Sequence, residues 1–172
     1  MRKILIAGIG NIFFGDDAFG CEVASQMLRR ELPEGVHVKD FGIRSYDLAY
    51  ALMEDYDATI LVDASPQGNA PGTIYLIEPD IKKLDELPDE AVNAHSMNPV
   101  RVLQLVRSLG GKPGYLRVVG CEPAILEAEE GAMGLSEKVQ AAVLPAIEMI
   151  ESLIREIFNE AGNPAATIEL RG

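Results

Sequence analysis

The sequence predicts an α/β fold: a single-domain, twisted, five-stranded, mostly parallel sheet with one antiparallel edge strand and helices on both faces. Three observations predict it. Continuous apolar runs at Ile4–Gly8 and Ala58–Asp63 suit strands buried on both sides of a parallel sheet. Strand-like runs alternate with helix-length segments, the pattern of a doubly wound sheet. The chain has 172 residues, one domain's worth, and that length buries enough surface to fold without staples.

The elements follow in order. The first strand leads into a glycine-rich turn through Gly10 and Gly15, and Asp16 or Asp17 then opens a helix to about Glu31, with Val23, Met27 and Leu28 on one face. Val36–Asp40 reads as the second strand, Ser45 as the cap of a short helix over Tyr46–Met53, and Ala58–Asp63 as the third strand. The connection after Asp63 is turn chemistry, Ser65–Gly72, and too short for a parallel crossover, which needs a dozen or more residues. The fourth strand, Thr73–Ile77, is therefore expected to run antiparallel at an edge. The polar stretch Pro79–Ala94 has the length of a loop that serves a site. Asn98 and Pro99 start a helix that stops at Gly110 and Gly111, and Tyr115–Val119 is the fifth strand. After an acidic irregular stretch, Gly120–Gly134, Ser136 caps a long helix. Its Val139, Val143, Ile147, Ile150, Ile154 and Ile157 form one apolar face, and Pro145 is expected to kink it. The domain spans 1–160; the tail, 161–172, is expected to fray.

Composition narrows the function. Fifteen Lys and Arg stand against 27 Asp and Glu, a net charge of −12, which repels nucleic-acid backbones and anionic membranes and suits a basic protein segment as partner. The apolar N-terminus imitates a signal peptide, but Gly8, Gly10 and Asn11 interrupt it and no small-residue cleavage site follows. No segment has the roughly 20 apolar residues that span a bilayer. Two isolated cysteines, Cys21 and Cys121, read as free thiols of a cytoplasmic protein, and a structural zinc site lacks ligands. A domain of this size can stand alone as a monomer.

In doubly wound folds ligands sit at the carboxyl ends of the parallel strands. Asp17 follows the first strand, Asp63 ends the third, and the long loop can return His95 to the same edge. Two carboxylates and an imidazole suit a borderline divalent ion with open positions: nickel, zinc, manganese or ferrous iron. Each residue also has a structural alternative: Asp17 complementing a helix dipole, Asp63 capping a turn at Ser65, His95 exposed on a loop. His37, inside a strand, reads as structural. The turn Gly8–Phe13 invites a dinucleotide-binding reading with Asp40 on the ribose. However, Phe13 replaces the third glycine, which is expected to hold a helix away, and Asp16 and Asp17 oppose a pyrophosphate. Cys21 is expected to be packed in its helix. Cys121 is expected at the start of a loop, exposed and open to reaction, with His95 as its conceivable partner.

The segment Gly8–Gly20, GIGNIFFGDDAFG, resembles the opening motif of the nickel–iron hydrogenase maturation endopeptidases. Asp40–Gly42, Leu61–Ala64, Ala94–Ser96, Gly120–Pro123 and Gly134–Ser136 extend the resemblance in order over about residues 1–160. It implies a cytoplasmic protease that trims a C-terminal peptide from the hydrogenase large-subunit precursor after nickel insertion. It places metal contact on Asp17, Asp63 and His95, the nickel being that of the substrate. The first of these positions is often Glu in the family, so Asp17 implies a slightly larger site or a shifted helix. Glu122–Pro123 departs from a common Gln-Pro variant. Asp16 or Asp63 is the expected general base, and Asp40 and Gly42 are expected to shape the substrate groove. The competing readings are a non-hydrolytic Rossmann-like nucleotide- or ligand-binding module and a nickel-recognising chaperone.

Overall fold

Period-two alternation along the strands splits the interior of the computed structural model into two cores, one on each face of a single sheet. The structure describes residues 2–80, 99–112, 114–124 and 133–162. Five strands, β1 (Ile4–Ile9), β2 (Val36–Gly42), β3 (Ala58–Ala64), β4 (Ile74–Ile77) and β5 (Tyr115–Cys121), lie in the order β2-β1-β3-β5-β4. All neighbours are parallel except β4 and β5. The short Ser65–Thr73 connection thus reverses the chain, and β4 is the antiparallel edge strand that its length demanded.

Four helices cover the sheet: α1 (Phe19–Met27), α2 (Ser45–Leu52), α3 (Pro99–Ser108) and α4 (Glu137–Gly162). Ile4, Ile6, Ile60 and Val62 face α1 and α4, whereas Leu5, Ala7, Ile9 and Leu61 face α2 and α3. Because β2 and β3 flank β1 on opposite sides, right-handed crossovers send α1 and α2 to opposite faces. None of the helices among the described residues is long and apolar enough to cross a membrane.

Several local expectations are revised. A single 3-10 turn, Gly15–Ala18, precedes α1, and the helix stops at Met27 rather than near Glu31. There the bonds from Arg29 N to Gln26 O and from Arg30 N to Met27 O tighten the chain into turns. Ser45 is the first residue of α2 and makes no side-chain cap. The Ser136 hydroxyl is directed to Asp16, 2.8 Å away. Pro145 lies within α4 on its exposed side, with Ala141 exposed one turn earlier, so the carbonyl deprived of its donor can turn to water. The helix also continues to Gly162, two residues into the tail expected to fray.

The third-glycine argument is overturned. Phe13 does not hold α1 away, because Gly20 performs the close approach. A methyl group at Gly20 would overlap the carbonyl oxygens of Val62 and Ile9 and lie 2.7 Å from Ile9 N. Gly8 answers it from the sheet, where a methyl would meet Ala24 Cβ at 2.7 Å. Backbone thus packs on backbone across β1 and β3. Gly20→Ala is expected to cost on the order of 3 kcal/mol by overpacking, read as a lower denaturant midpoint. Gly114→Ala, whose new methyl would meet only Asp57 O at 3.9 Å, should stay within about 0.5 kcal/mol of wild type.

Candidate functional site

The strand order reverses between β1 and β3, and ligands of open α/β sheets bind in the crevice beyond such a switch point. Both predicted carboxylates stand there. The chain leaves β1 through Gly10, whose φ of 146° and tight contact with the Asp17 carbonyl exclude a side chain. Asn11 then folds the loop: its Oδ1 accepts from Phe13 N at 2.9 Å and its carbonyl from Phe14 N at 3.1 Å. The Asn11 N–H donates to Asp17 Oδ2 at 2.9 Å, which pins the half-buried carboxylate over the end of β1. Asp63 occupies the next-to-last position of β3, opposite Gly120 of β5, and is 5% exposed.

The electrostatics of the pair are unbalanced. Among the described residues, Asp63 Oδ1 is buried without a hydrogen-bond partner. Burial, then the neighbouring Asp17 charge, push the Asp63 carboxyl well above the usual carboxylate range, and the Ala64 N–H only partly opposes them. Burial likewise raises Asp17 against the bond from Asn11. The Cys21 thiol reports how closely the acids converge. Burial is the largest cause of its raised pKa, followed by Asp40, Asp63 and Asp17. Its Sγ donates to Gly10 O at 3.4 Å, so it is packed as expected. Asp40 and Gly42 join the same edge: Asp40 Oδ1 accepts from Gly42 N at 2.9 Å, and Gly42 O accepts from Gly10 N at 3.0 Å. The β1 and β2 turns are thereby coupled, and they present Ile12, Phe13, Ile43 and Tyr46 as exposed apolar side chains.

Asp16 faces the other way. It is fully buried and accepts from Ala124 N at 2.8 Å, Ser136 N at 2.7 Å and Ser136 Oγ at 2.8 Å. It ties the 3-10 turn that carries Asp17 to the chain after β5 and to the start of α4. His95, the third predicted ligand, lies outside the described residues. His37 is exposed on β2 and stacks edge-on against Tyr56, a structural contact. Cys121 corrects its expectation. β5 runs two residues past Val119, so Cys121 pairs with both Ala64 and Ile74 and is buried. Burial, then Asp16 and Glu122, push its thiol up to about 11, too high for a thiolate nucleophile at neutral pH.

Sequence reasoning assigned no role to Glu122, which turns out to organise the neighbouring loop through four hydrogen bonds to its carboxylate. The available signal was an acid placed directly after an apolar strand, where burial requires partners.

The two carboxylates fit a cation, because an orphaned buried oxygen beside a second acid lacks the positive charge that would satisfy it. Two acids alone leave a coordination shell open, and no group of three or more metal-binding side chains occurs among the described residues. Asp17 and Asp63 can therefore hold a divalent ion that brings other ligands with it.

Comparison with known proteins identifies the family. The family model of the hydrogenase maturation proteases matches residues 21–153. A putative hydrogenase maturation protease of Methanocaldococcus jannaschii is 36% identical over 90% of this chain and 98% of its own length. The hydrogenase 2 maturation protease of Escherichia coli is 31% identical over 92% of this chain and 94% of its own. The solved structure of the E. coli hydrogenase maturating endopeptidase HybD superposes with a TM-score of 0.74 at 31% identity, covering 91% of this chain and 93% of that one. The hydrogenase 2 maturation peptidase of a Thaumarchaeota archaeon gives a TM-score of 0.67 at 29% identity, over 89% and 98% of the two chains. The chain belongs to the hydrogenase maturation protease family and is an endopeptidase of that class.

Proposed function

We propose that this endopeptidase removes a C-terminal peptide from the nickel-loaded large-subunit precursor of a nickel–iron hydrogenase, and that Asp17, Asp63 and His95 recognise the nickel that the precursor carries. The observation that carries the reading is the Asp63 oxygen that has no partner among the described residues, buried beside Asp17 at the switch point. A cation arriving with the substrate relieves both the missing hydrogen bond and the repulsion between the two acids. The protease then acts on precursors that already hold metal and ignores those that do not. Nickel held there would polarise the scissile carbonyl or lower the pKa of a water. Asp63, at the same strand end, is the candidate to take the proton from that water. Asp16, with three donors on its oxygens, is assigned to holding the loop.

Asp40 and Gly42, with the apolar side chains beside them, form the wall along which the extension runs. The acidic surface favours a basic extension, and the enzyme works in the cytoplasm as a monomer. A nucleotide-binding role fits less well, because the Asn11 N–H that would meet a phosphate is already bonded to the Asp17 carboxylate.

The test is cleavage of the nickel-loaded and nickel-free precursors, read by intact mass. Loss of a C-terminal peptide from the loaded form alone is expected. Failure to cut any cognate precursor overturns the protease reading in favour of a nickel chaperone or binding module. Asp17→Asn and His95→Ala should each slow cleavage by roughly 100-fold or more while leaving the fold intact; wild-type rates in both would remove these residues from the site.

Asp63→Asn should separate function from stability. In the folded protein the Asp63 pKa is raised above its unfolded value, so its ionisation opposes folding. That penalty is absent below the unfolded pKa and grows as pH rises above it. The variant should lose cleavage yet melt on the order of 3 °C higher at pH 7, the shift about 1 kcal/mol produces in a domain of this size, with the gain vanishing in acid. A lower Tm at pH 7 would contradict the strained-carboxylate account.

A further inference from the structure

Three consecutive backbone N–H groups, those of Gln67, Gly68 and Asn69, converge on the carboxylate of Glu122. Gln67 N donates to Oε2 at 2.7 Å, and Gly68 N and Asn69 N donate to Oε1 at 2.8 and 3.1 Å. Tyr75 Oη donates to Oε2 at 2.9 Å and accepts from Asn69 Nδ2 at 2.9 Å. The backbone of Glu122 closes the other side: its carbonyl accepts from Gly72 N and its N–H donates to Thr73 O, both at 2.8 Å. Successive N–H groups of this kind make a concave anion receptor, and here the chain supplies the anion itself. Burial raises the Glu122 carboxyl, but the Gln67, Tyr75, Gly68 and Asn69 donors together outweigh it and hold the group below the usual carboxylate range.

The loop so gathered begins two residues after Asp63. Ser65 N donates to Cys121 O at 2.8 Å, and Gly120, the partner of Asp63 across β3 and β5, leaves room for Ser65, whose Cβ would lie 2.7 Å from a methyl there. Residues 66–70 are exposed, in neither helix nor strand, and Pro66 has no N–H to give. Backbone bonds hold the two ends of this loop, and its middle, residues 67–69, is held to the Glu122 side chain, from the residue that follows β5.

We propose that Glu122 is a positioning residue: it fixes the Ser65–Thr73 loop as a preformed wall on the Asp63 side of the site, and this wall orients the precursor's C-terminal segment for cleavage. The inference rests on the protease reading above. Asp63 itself is held by the β3 ladder, so loosening the wall should weaken substrate engagement more than the chemical step.

The experiment is Glu122→Gln, read in two ways. Its carboxamide keeps one acceptor oxygen and turns an NH2 toward the loop's donors. In the free protein, amide NMR should show wild-type Gln67, Gly68 and Asn69 protected from exchange. Because the folded pKa of Glu122 lies below its unfolded value, this hold is complete above the unfolded pKa and is lost as pH falls through the folded one. In the variant the protection should be lost and the acid titration of these amides absent. With the nickel-loaded precursor, KM should rise about tenfold while kcat changes less than about threefold. Tyr75→Phe removes one of the four bonds and should raise KM about two- to threefold, which keeps the test open if Glu122→Gln fails to fold. Retained protection at residues 67–69, or a wild-type KM in a variant whose loop has loosened, overturns the proposal. Failure of the wild-type protein to cut any precursor instead overturns the protease reading beneath it.

Discussion

The contact of Gly20 with the carbonyls of Val62 and Ile9 sets the position of everything at the C-terminal edge of the sheet. With no Cβ between them, the start of α1 sinks onto the backbone of β1 and β3 where the strand order reverses. The loop from Gly10 to Ala18 is then too short to swing outward. It folds back over the sheet, with Gly10 against the Asp17 carbonyl and the Asn11 N–H on the Asp17 carboxylate. A side chain at position 20 would lift α1, and Asp17 would move away from Asp63. Helix packing and site geometry are thus one constraint, which is why glycines at 8, 10 and 20 belong to the site although none contributes a functional group.

Buried acids at this edge meet different fates, and the difference separates scaffold from chemistry. Asp16 has Ala124 N, Ser136 N and Ser136 Oγ on its oxygens. Glu122 has three backbone amides and a tyrosine hydroxyl. Both behave as internal crosslinks, joining segments 47 or more residues apart in sequence. Asp63 is as buried as Glu122, yet one oxygen lacks a partner among the described residues. Leaving a buried acceptor unsatisfied costs about 1–3 kcal/mol, and a charged one costs more. Among the described residues the fold supplies donors to both oxygens of Asp16 and of Glu122 and none to Asp63 Oδ1, and that contrast sets Asp63 apart.

Much of this was legible in the sequence because it depends on chain length and period. The eight-residue turn segment after Asp63 dictated an antiparallel β4. The rule that ligands gather at strand ends selected Asp17 and Asp63 from 27 acidic residues. What escaped depends on partners that a sequence does not name. Gly20 lies twelve positions after Gly8, outside the spacing of the dinucleotide motif, so its close approach was assigned to Phe13 and judged absent. Cys121 looked exposed because β5 was ended at Val119, before the two residues that pair with Ala64 and Ile74. Asp16 and Asp17 are indistinguishable as neighbours in a turn; only the fold turns one inward to Ser136 and the other toward Asp63. Glu122 escaped for a related reason, since backbone amides leave no mark in a sequence.

The way these acids are satisfied also determines the field they leave behind. Three backbone amides and a hydroxyl satisfy the carboxylate of Glu122 without cancelling its formal charge, as an arginine or lysine would. Asp17 is likewise pinned by an amide. Burial first, and then Asp40, Asp63 and Asp17, raise the Cys21 thiol, so all three acids bear on one point of the edge. Low-dielectric walls strengthen such a field inside a crevice and draw in counter-charge. A notch with two carboxylates and an unsatisfied oxygen calls for counter-charge, which a shared proton supplies in the free protein and a cation can supply in its place. Under the function proposed above, that counter-charge is the metal the precursor carries, and Asp63, whose Oδ1 has no partner among the described residues, is where it would be felt.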